Sequence, residues 1–228
     1  MKKLLLIVVI STLWLGASAQ TQFGIKFGLN KSKLSPVFDS TNDKSDRKDY
    51  YNKHIKSNNG FNFGLVYTSE NDKAFTFQAE LAFSQKGALK SDKDGKTVGG
   101  IRYNYIDFKP LFNVGAGGDS WKLYFQFGPS VNFWLSKKMY DKDGKLVDGS
   151  EKWNTDNDEE GAGAFDVRGE LGLIAGAGFK YKLGPGWILV NPRYEWGISP
   201  TTIYDLGNDG FSEVNRTLSV NMGYLFEF

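Results

Sequence analysis

The run RTLSVNMGYLFEF, residues 216–228, alternates in hydropathy with a period of two. Leu218, Val220, Met222, Tyr224, Phe226 and Phe228 take every second position, and the residues between them, Thr217, Ser219, Asn221, Gly223, Leu225 and Glu227, are mostly small or polar. That period makes a strand with one greasy and one wet face. A soluble sheet would rarely leave such a strand, with three aromatics on one face, at an unprotected terminus, where bare edges invite aggregation. A transmembrane barrel covers the face with lipid and removes the edge by closure onto the first strand.

The other end of the chain leads to the same compartment. Met1 to Ala19 carries Lys2 and Lys3, an apolar run from Leu4 through Ile10 to Leu15, and then Ala17-Ser18-Ala19. A basic start, an apolar middle and small residues at a cleavage point predict a secretory signal peptide over 1–19, leaving 20–228 as one domain. The alternative, a single anchor helix, is too short to cross about 30 Å of hydrocarbon comfortably. With no cysteine, the chain is neither a thiol-anchored lipoprotein nor a disulfide-stapled secreted domain. Beyond Ala19 no apolar run approaches a helical span, so a membrane form has to be a β-barrel. Lys+Arg 28 against Asp+Glu 26 gives no reason to expect a nucleic-acid partner. An aromatic share of 15% and 27 glycines suit aromatic girdles and a close-packed lumen.

Alternation predicts eight strands: Gln22 to Asn30, Gly60 to Ser69, Phe75 to Lys86, Ile101 to Val114, Trp121 to Leu135, Phe165 to Leu183, Trp187 to Ile198, and Arg216 to Phe228. The fourth is irregular. Ile106, Phe108, Pro110 and Phe112 share one face, and Tyr103 and Tyr105 do not fit that phase unless a bulge lies near Tyr105 or the two sit at a rim above the lipid. Four long polar connections, 31–59, 87–100, 136–164 and 199–215, alternate with short turns at 70–73, 115–120 and 184–186. Short turns on one side and long loops on the other are the pattern of an outer-membrane barrel with both termini in the periplasm and the loops outside. A soluble eight-stranded barrel would turn its apolar face inward around a ligand. Here that face is too bulky for so small an interior. The prediction is therefore an all-β, antiparallel up-and-down transmembrane barrel of eight strands.

Several segments in order carry a resemblance: the leader ending ASAQ, the opening TQFGIKFGLNKSKLS, the strand IDFKPLFNVGAG, the segment NPRYEWGI and the terminal LSVNMGYLFEF. Together they resemble the PorT-like, porin-family outer-membrane β-barrel domain, across essentially all of 20–228. The resemblance implies a fold rather than an activity, with an accessory part in envelope assembly or secretion as the role the family name suggests. The terminal aromatics Tyr224, Phe226 and Phe228 resemble the C-terminal signal read by the barrel-assembly machinery, which implies that machinery as a partner during biogenesis.

The wet faces collect both signs of charge: Lys26, Glu80, Asp107, Lys109, Lys122, Arg168, Glu170, Arg193, Glu195 and Glu227. In an eight-stranded barrel, whose interior side chains about fill, these charges either pair as a plug or line a narrow gated path for small solutes or ions. Catalysis is not expected. The single histidine, His54, falls in a charged loop, and no serine stands near it on an identifiable strand face, so a nucleophile with its base is missing. Two loops repeat Asp-Lys-Asp-Gly-Lys, at Asp92 to Lys96 and Asp141 to Lys145. Asp-x-Asp-Gly is part of a calcium loop, with Asp156, Asp158, Glu159 and Glu160 also near in sequence, but the distal glutamate and further oxygen ligands are lacking. Asp-Gly is equally a hairpin tip, and no cofactor is expected. The loops hold Tyr50, Tyr51, Tyr140, Trp153 and Tyr204 among charges. That composition fits recognition of an extracellular or envelope protein, and also a solvated rim over outer-membrane lipid and lipopolysaccharide.

Overall fold

The computed structural model describes residues 20–38, 44–70, 74–147, 163–205 and 211–227. The leader 1–19, Phe228, Trp153 and the acidic group 156–160 lie outside the described residues, as does most of the turn at 70–73. Ten strands and one helix are present among the described residues: β1 (Gln20–Phe38), α1 (Lys44–His54), β2 (Ile55–Glu70), β3 (Phe75–Ser91), β4 (Thr97–Gly117), β5 (Trp121–Asp141), β6 (Gly163–Asp166), β7 (Gly169–Leu183), β8 (Gly186–Gly197), β9 (Thr202–Asp205) and β10 (Phe211–Glu227). The barrel proper has eight antiparallel strands in the order β1-β2-β3-β4-β5-β7-β8-β10, and β10 pairs back onto β1 from Gln22↔Glu227 to Phe38↔Phe211. Among the described residues that closure leaves the eight barrel strands no free edge.

Outward positions are the predicted apolar ones. Phe23, Ile25, Phe27 and Leu29 on β1, Phe125 and Phe127 on β5, and Leu218, Val220 and Met222 on β10 are all exposed, Phe125 by 74%. The strands tilt. Lateral partners traced from Thr21 run through Ser69, Phe77, Phe112, Phe127, Ala175, Tyr194 and Leu218 and return to β1 at Lys31, ten residues farther on. Tilt and strand number together set an interior just wide enough for side chains. Gly178 shows how tight it is: a Cβ there would lie 2.1 Å from Cζ of Tyr124, whose ring points inward. The turn between β7 and β8 is a two-residue Gly184-Pro185 loop, with φ +62 at the glycine, the conformation a II′ hairpin requires at its first centre.

The structure differs from the sequence reading in four places. The strands run past the predicted ends: β1 continues to Phe38, β5 to Asp141, and β10 begins at Phe211. Once a strand leaves the lipid its alternation is no longer enforced, and the pattern fades while the ladder continues. The predicted loop 31–59 contains α1, a helix too polar to show an apolar stripe. The predicted sixth strand is two. Val167 and Arg168 interrupt it, their carbonyls accepting from Trp134 (Nε1 to Val167 at 2.8 Å, backbone N to Arg168 at 3.1 Å), and β6 leaves the barrel to pair with β9, which itself pairs with β10. Finally, Tyr103 and Tyr105 keep the regular phase and face inward. The bulge lies on β5, where Leu135 is the extra residue between Tyr105↔Trp134 and Asn104↔Ser136.

Candidate functional site

The inward faces build a polar interior whose long side chains cross the barrel. At its centre Glu80 accepts from Lys26 Nζ, from Arg193 Nη1 at 2.9 and 3.1 Å, and from Gln78 Nε2 at 2.6 Å. A ring of hydrogen bonds closes from there: Asn113 donates to Gln78 (2.9 Å), Gln126 to Asn113 (2.8 Å), and Arg193 to Gln126 (3.4 Å). Toward the loop end, Glu195 takes Lys86 (2.7 Å), Asn132 (2.7 Å), Ser130 (3.0 Å) and Lys109 (3.5 Å). Asp107 takes Lys109 (2.7 Å), Ser84 (2.6 Å) and, at 3.9 Å, Lys86. Glu170 is bonded by the Tyr105 hydroxyl and by Asn215 at 2.9 Å. At the turn end Glu70 holds Lys122 and, at 3.0 Å, Lys180.

Seven of the ten charges named from the sequence, Lys26, Glu80, Asp107, Lys109, Glu170, Arg193 and Glu195, are buried together in this interior. The other three lie toward its ends. Lys122 is half-buried at the turn end. Glu227 pairs at 3.1 Å with Lys182, whose side chain is 43% exposed. Arg168 sits at the loop end with its guanidinium 5.5 Å from the Trp134 ring. Lys86, Lys180 and Glu70 belong to the network beyond those ten. Period two carries the signal for Lys86 and Lys180, which stand on the inward parity of Glu80 and Glu170. The amides Gln78, Asn113 and Gln126 carry no signal beyond that parity.

An apolar cluster lies toward each end of this interior. Tyr103, Tyr105 and Trp134 pack together on the loop side, the rings of Tyr103 and Trp134 crossing edge-on at 5.7 Å. Val66, Trp187, Leu189 and Leu225 form the layer on the turn side. Beyond Tyr103 lies a cavity of about 450 Å³, whose lining includes Leu34, Ile55, Ile101, Met139, Lys137 and Glu213. Helix α1 sits at this mouth, with the Tyr51 hydroxyl donating to Glu213.

A serine does stand beside the histidine. Ser91 Oγ donates to the carbonyls of Lys53 (3.3 Å) and His54 (3.2 Å), and His54 Nδ1 lies 3.1 Å from the Ser91 carbonyl oxygen, not the hydroxyl. That is a helix-end contact, which does not activate a nucleophile. The two Asp-Lys-Asp-Gly-Lys loops are the same hairpin tip built twice. Asp92 Oδ1 accepts from the amides of Asp94 (3.0 Å) and Lys96 (2.8 Å), Asp141 Oδ1 from those of Asp143 (2.9 Å) and Lys145 (2.8 Å), and Gly95 and Gly144 hold φ +78 and +75. The first carboxylate of each repeat is thus engaged by its own backbone, as turn aspartates are. Among the described residues no group of three or more acidic or histidine side chains could hold a metal ion.

Of the terminal aromatics, Phe226 is exposed on the outward face, and Tyr224 stacks edge-on against it at 4.9 Å while its hydroxyl donates to Leu183 O at 2.8 Å.

The sequence finds no match among curated proteins. Among solved structures it is similar to the attachment invasion locus protein Ail of Yersinia pestis, at 16% identity over 92% of this chain and 99% of that one, TM-score 0.40. It is similar to the outer membrane protein OprG of Pseudomonas aeruginosa at 14% identity, over 93% and 98%, TM-score 0.46. It is also similar to the outer membrane protease OmpT of Escherichia coli at 10% identity, over 92% and 96%, TM-score 0.36. Residues 18–202 match the family described as outer membrane protein beta-barrel domain, and this chain, an outer-membrane barrel that crosses the bilayer with strands, belongs to that family.

Proposed function

We propose that the protein is a plugged barrel that acts through structure and surface interaction at its extracellular side, without catalysis and without conducting solutes. The interior supports this reading most. Glu80 is shared by Lys26 and Arg193 across the lumen with side chains 0–3% exposed, and an apolar cluster lies toward each end. Charges lining a conducting pore would instead face water. Solute uptake by liposomes carrying refolded residues 20–228 tests it, with an unfolded control and sugars and ions of graded size. Uptake equal to control is expected. Uptake above control with a sharp size cutoff would overturn the plug and make the interior charges the functional site.

A second reading, a narrow path for small solutes or ions, draws on one observation. The amide oxygens of Asn62, Asn191 and Asn221, lateral neighbours around Gly28, are buried and without a hydrogen-bond partner among the described residues. Buried acceptors of this kind favour water. Under this reading Arg193→Gln alters conductance, whereas the plug gives none to alter. The PorT-like resemblance extends the first reading to an accessory part in envelope assembly or secretion. It also has Tyr224, Phe226 and Phe228 recognised by the barrel-assembly machinery and 1–19 removed on export. N-terminal sequencing of protein from outer membranes tests the last point and should begin at Gln20.

A further inference from the structure

We infer that the extracellular mouth of the barrel is a binding pocket for a small amphipathic anion, a carboxylate with an apolar tail, the tail filling the cavity beyond Tyr103 and the carboxylate pairing with Lys90. The inference deepens the surface-interaction reading by naming a ligand class, and it takes from that reading only that the protein acts at its outer side. At about 450 Å³ the cavity has the size of a small-molecule site. Its wall is mostly apolar. Ile55, Leu89, Val98, Ile101, Met139 and Val147 line it, and its inner end is Tyr103, packed edge-on against Trp134 and 1% exposed.

Lipid accounts for the apolar wall lower down but not for this one. A hollow of about 720 Å³ bounded by Phe27, Phe63 and Met222 lies among the outward residues of the lipid band, where acyl chains cover it. On β4 the outward apolar series ends at Ile106, and a polar belt follows, Gln85 donating to Asn104 (3.0 Å) and Asn104 to Ser136 (2.8 Å). Val98 stands eight residues beyond Ile106 on the same strand. That is about 26 Å along the strand and about 20 Å along the membrane normal at a tilt of about 40°. Yet Val98, Met139, Leu146 and Val147 are 38–48% exposed there. Apolar surface so far from the bilayer, and continuous with a cavity, marks a contact. An acyl chain of the leaflet would have to leave the membrane to reach it. The polar groups of the mouth then select the charge of the ligand. The Glu213 carboxylate on the wall is engaged by the Tyr51 hydroxyl. Lys90, exposed on β3, lines the cavity and its ammonium pairs with no carboxylate among the described residues. Its methylene stem continues the apolar wall while the ammonium offers a charge-assisted bond to a carboxylate.

The test is calorimetric titration of the protein in lipid nanodiscs, with empty discs as the blank, using octanoate, octanol, octylammonium and hexanoate as probes. Octanoate should saturate a single site. Octanol and octylammonium, which cannot accept the charge-assisted bond, should bind about tenfold more weakly or worse. Hexanoate, with two fewer methylenes to bury, should also be about tenfold weaker. Lys90→Gln changes an exposed side chain and should bring octanoate down to the affinity of octanol while gel mobility stays that of the folded barrel. Val98→Glu, at another exposed position, should weaken octanoate about tenfold and leave octylammonium no weaker. Equal binding of octanoate and octylammonium by the wild type, which needs no variant to fold, would overturn the inference. So would the absence of saturable octanoate binding above the empty discs, which would hand the apolar rim to a protein partner. Liposome uptake above control would end the plug yet leave this charge selectivity in place, so the two readings fail separately.

Discussion

Replacing Glu80 by Gln should destabilise the barrel by about 3–5 kcal/mol. The substitution is isosteric, so no cavity opens and the cost is electrostatic. Glu80 is the carboxylate shared by Lys26 and Arg193, and the side chains concerned are 0–3% exposed. Removing one member of a buried ion pair leaves an uncompensated charge, which costs about 3–5 kcal/mol. Here two cations are stranded. Against a total stability of about 5–15 kcal/mol for an ordinary domain, that is a large fraction. If the lumen were wet at this depth, water would solvate both cations and the loss would fall near the 0–1 kcal/mol typical of exposed pairs. The assay is urea unfolding from phospholipid vesicles followed by tryptophan fluorescence, with heat-modifiable gel mobility to count the folded fraction. Adding Lys26→Met to Glu80→Gln removes one stranded cation and should recover roughly half of the loss, a coupling that a double-mutant cycle resolves. A folded Glu80→Gln protein that loses less than about 1 kcal/mol would refute the dry, paired centre and with it the plug.

Trp134→Ala should cost about 3–5 kcal/mol in the same unfolding assay, since it deletes the largest fully buried side chain of the loop-side layer. Gly178→Val should cost about 1–3 kcal/mol by driving a side chain into the Tyr124 ring, and Tyr124→Ala in the same chain should recover part of it. Asp92→Ala removes two side-chain-to-amide bonds at an exposed tip and should cost about 1 kcal/mol or less, with no change in the response to calcium. A calcium-dependent rise in melting temperature in the wild type that Asp92→Ala abolishes would refute the hairpin-tip assignment.

What the sequence could reveal depended on what enforces each pattern. Lipid enforces period two, so Phe23 to Leu29 and Leu218 to Phe226 declare their outward face at once. Nothing comparable acts beyond the band, which is why β1 beyond Asn30, the end of β5 and the whole of α1 read as loop. Tyr103 and Tyr105 defied the reading because aromatics were expected in lipid, whereas these two fill the lumen, where an inward tyrosine can pack its ring and still bond its hydroxyl to Glu170. The inward charges were legible as a set, but their partners were not. Lys26 and Glu80 are 54 positions apart and Glu80 and Arg193 are 113, and which of them meet is fixed by the tilt of a closed barrel, a property that no single strand carries. Ser91 beside His54 was hidden for the same reason, since α1 brings the histidine to β3.

Several of the ion pairs cross the barrel rather than run along its wall, and this bears on how such a wall stays shut. Glu80 stands on β3, Lys26 on β1 and Arg193 on β8, so one carboxylate ties together strands on both sides of the β1–β10 seam. Lys86 on β3 with Glu195 on β8, Lys180 on β7 with Glu70 on β2, and Asn215 on β10 with Tyr105 on β4 repeat the arrangement at other depths. In lipid the outward apolar face gains nothing by folding inward, so the hydrophobic effect that holds a soluble core cannot hold this interior. Backbone ladders satisfy each strand's neighbours but do not reach across. Cross-lumen bonds do, and they form only when the seam is closed. Opening β1 from β10 would draw Arg193 away from Glu80 and leave buried charges stranded, so the network favours all-or-none closure.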